Sequence, residues 1–375
     1  GNLTGTGTGN GTVRVDSGTI TVGTDLAIGS GPGCTGTLSV SGGTVTKNAS
    51  GATAVTVGGA PTSTSLNGGT GTFNLSGGTF TSAGLLSVGH RPTTNGSLNV
   101  SGGTLNLNND LHVGSYTGAT GSALISGGTI NSTGWVVVGR RDGAEGVAVG
   151  GVGTVNMTAG TWNKTGDSNF IVGAHGNGTM NMSGGLVNVG TSPVGDRGIT
   201  WVGEQNNCTG VLSLSNTAEF RTARITMAVQ SGTTGTLNLF GGTLKTANIT
   251  GGSGTSTVVF NGTQIIATGN SATFIDSLGT ATIDAGNLKV DSAGYVLSAS
   301  QFLTGTGGVV SIAPADFEQQ LAWLQQQGYV GVPMATVEGC MRGRGECPAR
   351  AVGLTFDDGY EDAYSIALPI MQRYG

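Results

Sequence analysis

Gly96-Ser97-Leu98-Asn99-Val100-Ser101-Gly102-Gly103-Thr104-Leu105-Asn106-Leu107-Asn108-Asn109-Asp110-Leu111-His112-Val113-Gly114 is the stretch that decides the fold. Its apolar residues come in three short alternating bursts, Leu98/Val100, Leu105/Leu107 and Leu111/Val113. Alternation of period two over such short runs means strands with one face turned inward and one outward. Ser101-Gly102-Gly103 and Asn108-Asn109-Asp110 separate the bursts, and these residue types turn the chain. Three strands joined by two such turns predict a three-sided coil.

The unit recurs. The glycines that open it are Gly11, Gly36, Gly71, Gly96, Gly121, Gly153, Gly178, Gly210 and Gly235, at intervals of 25, 35, 25, 25, 32, 25, 32 and 25 residues. A period of 25 with occasional insertions is the mark of stacked rungs with loops at certain turns. The Val100 position reads Val15, Val40, Leu75, Val100, Ile125, Met157, Met182, Leu214 and Leu239, and the Leu98 position reads Val13, Leu38, Phe73, Leu98, Ala123, Val155, Met180, Leu212 and Leu237. Each inward position is thus expected to be an apolar column. A single rung buries too little to repay the ordering of its backbone, so stability must come from neighbours above and below. The outward position beside Val100 reads Arg14, Ser39, Asn74, Asn99, Leu124, Asn156, Asn181, Ser213 and Asn238. Stacked amides of this kind bond to one another and to water, and the same ladder could line a glycan-binding face.

Composition agrees with an ordered repeat. Of 375 residues 73 are Gly, yet 36% are hydrophobic and regularly placed, which separates the chain from disordered low-complexity sequence. The net charge of −5 and the lack of a basic run argue against a nucleic-acid partner. No apolar run reaches the roughly 18 residues that a membrane-spanning helix needs. Near Gly307-Gly308 the text changes character. Pro314 suits a first helical turn, Phe317, Leu321 and Leu324 share a helix face, and Gly328 ends it. Two domains are expected, 1–308 and 309–375. A chain that starts at Gly1 and stops at Gly375 reads as a fragment of a longer, exported protein.

The repeats resemble the autotransporter and PEP-CTERM-associated repeats, which carry a recurring GTL-x-V-SGGTL. That resemblance implies a right-handed parallel β-helix at the surface of a bacterial cell or outside it, here expected to be monomeric.

The most reactive text lies near the C-terminus, at Leu354-Thr355-Phe356-Asp357-Asp358-Gly359-Tyr360. The run Ala351 to Phe356 reads as a buried strand ending in two adjacent carboxylates. Such a pair is costly unless a metal or a proton transfer uses its charge. The plainer reading is a capped helix start before Asp362-Ala363-Tyr364. Val352 to Gly375 resembles the first catalytic motif and following helix of the polysaccharide deacetylases, and Phe317 to Leu324 with Gly328-Tyr329 resembles their lead-in helix. The resemblance implies a truncated α/β piece of a deacetylase-type (β/α) barrel. It also implies Asp357 as the general base that activates water, and Asp358 as a ligand of a divalent metal, zinc or similar. The substrate would be an N-acetylated amino-sugar polymer, cleaved to a free amine and acetate. The family takes further metal ligands from a downstream histidine pair, so the fragment by itself is expected to be inactive and to hold no metal.

Cys340 and Cys347 flank a short Arg/Gly loop and are spaced so that a disulfide can close in an exported protein, or they are two separate thiols. His90, His112 and His175 lie in the repeats and read as ordinary outward or turn residues. The alternative to an enzyme is a surface adhesin or structural solenoid whose terminal deacetylase-like piece is degenerate or misjoined.

Overall fold

The computed structural model describes residues 9–50, 54–61, 68–140, 150–190, 198–205, 207–307, 314–344, 348–355, 364 and 367–374. The Gly96 unit folds as three strands, Asn95–Val100, Thr104–Leu107 and Leu111–Val113. Each pairs in parallel with its counterparts one rung away. Leu98 lies between Phe73 and Ala123, Leu105 between Phe80 and Ile130, and Leu111 between Leu86 and Val136. The pairings of Gly36 with Gly71, Gly121 with Gly153, and Gly178 with Gly210 preserve the register across the longer intervals. Inserted residues therefore leave the ladder intact. The protein is mainly β, a parallel β-solenoid.

The first two faces merge into one nineteen-stranded sheet, and the third is a separate eleven-stranded sheet. They merge because some strands, such as Thr120–Ser132 and Thr209–Arg221, run through the corner between the faces with a shift of register. Gly103 and Gly128 take that corner at φ 68° and 72°, a left-handed conformation that a side chain would resist.

Val15, Val40, Leu75 and Val100 are buried, as are the residues stacked beyond them to Leu239. In the neighbouring column Val13 departs from expectation at 51% exposed, because among the described residues no rung lies beyond it. Trp162, Phe170 and Phe220 fill the centre with edge-to-face contacts at 5.4 and 5.9 Å between ring centroids.

The Leu107 column is not uniformly apolar. It places Lys47, Ser82, Ser132, Lys164 and Thr246 at buried positions. These side chains point at the second turn and satisfy groups that would otherwise be orphaned there. Ser82 Oγ donates to Gly84 O at 2.8 Å, Thr246 Oγ1 to Asn248 O at 3.0 Å, and Lys164 Nζ to Thr165 O at 2.6 Å. Lys47 Nζ donates to Ala49 O, and Ser132 Oγ accepts from the Trp162 indole at 3.0 Å.

Rungs continue beyond residue 250 with shorter spacing, Thr234 pairing with Thr255 and Thr257 with Thr280. The last solenoid strand is Thr304–Gly305. Then come helix α1 (Pro314–Gln326), a strand at Val330–Gly331, helix α2 (Met334–Met341), a strand at Ala351–Val352 and helix α3 (Leu368–Tyr374). Helices α1 and α3 pack together, burying Leu321 and Ile370, and Arg373 Nη2 meets Glu318 Oε1 at 2.9 Å. Among the described residues no helix is long and apolar enough to cross a membrane.

Candidate functional site

Asp357 and Asp358 lie outside the described residues, as does Phe356. The scaffold that leads to them is described. Val330–Gly331 and Ala351–Val352 pair in parallel, with the Val330 amide donating to Arg350 O and the Val332 amide to Val352 O, both at 2.9 Å. Helix α2 connects them, so the segment is a strand–helix–strand unit. Ligands of parallel α/β units bind beyond the carboxyl ends of the strands, and in the sequence positions 357 and 358 come five and six residues after Val352.

Gly353 explains how α2 lies so close to this strand. A β-carbon there would come within 2.6 Å of Met334 Sδ and 2.8 Å of Val337 Cγ2. The strand itself is shorter and less buried than its sequence suggests. It ends at Val352 and is half-buried, because its described partner strand supplies only two residues. Beside it an apolar cavity of about 330 Å³ is lined by Leu321, Leu324, Tyr329, Val352 and Met371. Trp323 stacks on Tyr329 at 6.3 Å between centroids, and the Arg350 guanidinium lies 5.9 Å from the Tyr329 ring.

Among the described residues no three His, Cys, Asp or Glu side chains come together where a metal ion could sit. The described residues alone do not make the metal site that the deacetylase resemblance implies. Cys340 is disulfide-bonded, while the buried Cys208 keeps a thiol that donates to Gly173 O at 3.0 Å. Cys347 lies outside the described residues. Burial raises the pKa of the Cys208 thiol, which suits a packing role rather than a reactive one.

The strand position of His112 is outward, as its sequence register implies. His112 faces away from the core, yet it is only 3% exposed, and His90 is buried as well. Outward does not mean solvent-facing on the third face, because side chains from the following turns fold back over it. Arg140 Nη1 bonds His112 Nε2, which also lies 3.7 Å from Asp110 Oδ2. His90 Nδ1 bonds Ser87 Oγ at 3.0 Å, and Ser87 Oγ meets Ser115 Oγ at 2.7 Å. His90 packs edge-on against Tyr116, with Arg91 over the same ring and donating to Ala60 O and Pro61 O.

Burial works to raise the Asp110 pKa, but His112, the Trp135 amide and the charge of Arg140 together hold it below the usual carboxylate value. Glu204 is pushed up by burial, against the hydrogen bond from Gln205 and the pull of Arg140. Arg140 thus reaches back from the next rung to His112, beside the Asp110 carboxylate, across the outer side of the third face. Period-two reading missed it, because alternation separates core from non-core but does not say what lies over the outer side.

Fold and site define a parallel β-solenoid followed by a strand–helix–strand unit that leads to an acidic pair. No family model matches the chain, and no solved structure matches it. A 65-residue segment is 38% identical to the poly-beta-1,6-N-acetyl-D-glucosamine N-deacetylases of Escherichia coli strain K12 and Escherichia coli O157:H7. The segment is 17% of this chain and 10% of each relative, so the chain spans about a tenth of the length of the curated proteins it matches.

Proposed function

We propose that the chain belongs to an extracellular polysaccharide N-deacetylase of bacterial origin, with the solenoid as its stalk or glycan-positioning region. The observation that carries this reading is the parallel strand Ala351–Val352, after which the sequence runs on into Thr355-Phe356-Asp357-Asp358-Gly359-Tyr360. The similarity to amino-sugar polymer deacetylases supports it. Asp357 is the general base: it takes a proton from water as the water oxygen bonds to the acetamide carbonyl carbon. The carbon–nitrogen bond then breaks as the departing nitrogen takes up that proton, which regenerates the Asp357 carboxylate and gives acetate and a free amine. A divalent metal held by Asp358, with ligands from beyond the described residues, would polarise that carbonyl.

Acetate release from an N-acetylated poly-glucosamine by the protein that carries this chain tests the reading. Asp357→Asn is expected to reduce release at least a hundredfold while thermal unfolding stays the same. Equal release by wild type and Asp357→Asn would sink the assignment and leave the solenoid as a surface structure in its own right.

A further inference from the structure

On the first face the outward ladder of amides is interrupted. Asn99 Nδ2 donates to Asn74 Oδ1 at 2.8 Å, but the next residue in register is Leu124, 45% exposed. The ladder resumes with Asn181 Nδ2 donating to Asn156 Oδ1 at 3.0 Å, and again with Asn238 Nδ2 donating to Ser213 Oγ at 3.1 Å. Asn181 and Ser213 are neighbours in register, yet no hydrogen bond joins them among the described residues. Asn156 Nδ2, Asn181 Oδ1 and the Ser213 hydroxyl therefore keep unused hydrogen-bonding capacity on one surface.

That surface is a groove of about 500 Å³, lined by Asn156, Asn181, Ser183, Ser213, Ser215 and Phe240 among others. Phe240 breaks the repeat. The corner that follows the first strand carries Ser41, Ser76, Ser101, Ser126, Ser183 and Ser215 in other rungs, whereas Phe240 is in register with Ser215 and is 46% exposed.

We propose that this groove binds a strand of neutral, N-acetylated amino-sugar polymer, Phe240 stacking on the apolar face of one pyranose ring. Side-chain amides offer a donor and an acceptor together, matching sugar hydroxyls and an acetamide, each of which does the same. An aromatic beside a few fixed polar groups is the usual composition of a small-ligand site. No charged side chain lines the groove, so a deacetylated, cationic chain would lose hydration there and find no carboxylate to replace it. The choice of an amino sugar rests on the function proposed above; the groove itself rests on Phe240 and the interrupted ladder.

Calorimetric titration of the full 375-residue chain with an N-acetylglucosamine hexasaccharide and with its de-N-acetylated counterpart tests the proposal. Saturable binding of the acetylated probe, at least tenfold tighter than the cationic one, is expected. Phe240→Ser restores the residue of the other rungs, so the fold survives, and it should weaken binding at least tenfold, while Phe240→Trp retains it. Undiminished binding by Phe240→Ser, or no binding of either probe by wild type, overturns the groove. Binding that survives Phe240→Ser but is lost in Asp357→Asn also overturns it, while supporting the acidic pair. Binding of a neutral glucan hexasaccharide instead, still lost in Phe240→Ser, keeps the groove and overturns the amino-sugar reading.

Discussion

The backbone of Gly96 lies so close to the carbonyl oxygen of Val57 that a β-carbon on residue 96 would overlap it. That oxygen accepts the Gly89 amide at 2.7 Å, so Gly96 covers the bond that closes the third face of the rung before it. Gly121 stands in the same relation to Val88, and Gly210 to Val172. Glycine recurs at this register from Gly36 to Gly235 because two backbones touch there, not because the chain needs a left-handed turn.

Gly96→Ala should therefore lower stability by about 3 kcal/mol or more, since backbone rather than a flexible side chain would have to move. Gly11 occupies the same register at the first described rung and has open space around it. Gly11→Ala should stay within about 0.5 kcal/mol of wild type. Denaturant melts of the two variants make the comparison, and equal midpoints would contradict the close approach.

Val100→Asp sets a charge into a dry column and should cost several kcal/mol, about the penalty for an unpaired buried carboxylate. Asn99 is one residue away but points outward and bonds only Asn74. Asn99→Ala should cost roughly 1 kcal/mol, the value of one exchangeable hydrogen bond. Thermal unfolding monitored by circular dichroism separates them, and similar losses would mean that inward and outward have been exchanged.

Lys164 gives a pH signature. Burial lowers its pKa from 10.5 to about 8, with Asp110 and Asp167 working in the opposite sense. Between those values the unfolded chain holds a proton that the folded chain has lost, so stability rises with pH across that window. Discounted for solvent screening, the gain is on the order of 1–3 kcal/mol, present above about pH 10.5 and lost as the pH falls through about 8. Urea midpoints of wild type should climb from pH 8 to 10.5, and those of Lys164→Met should not. A flat wild-type profile would show that the ammonium is well solvated.

Gly353→Ala should push α2 away from the Ala351–Val352 strand, because Met334 and Val337 occupy the space its β-carbon needs. Limited proteolysis should then cut the segment after residue 314 at least several times faster, while the solenoid strands keep their protection. Unchanged cleavage would show that α2 can yield without loss.

The solenoid was legible because its signal is redundant. Leu98 and Val100 alone would be ambiguous, but nine rungs repeat the same alternation, and the intervals between Gly36, Gly71 and Gly96 reappear as strand registers. Exceptions arose where one residue serves a corner rather than a face. Lys164 and Ser132 sit in an apolar column because their polar ends reach turn carbonyls or an indole, a relation across the rung that periodicity does not encode. The burial of outward-facing His112 was not legible for a related reason: Arg140, from the next rung, folds over it. The acidic pair was legible only as text. Asp357 and Asp358 stand out by residue type and by the strand before them, and the groove at Phe240 shows in the sequence only as a serine that fails to recur.

The parallel pairing of each rung with the next has a mechanical consequence. Every interstrand hydrogen bond of the solenoid runs along the stacking direction, so tension between the two ends would load the rungs in series. Such a rod would give way one rung at a time from an end, at modest force, and lengthen by the contour of one coil at each step. It would behave as a shock absorber rather than a rigid strut.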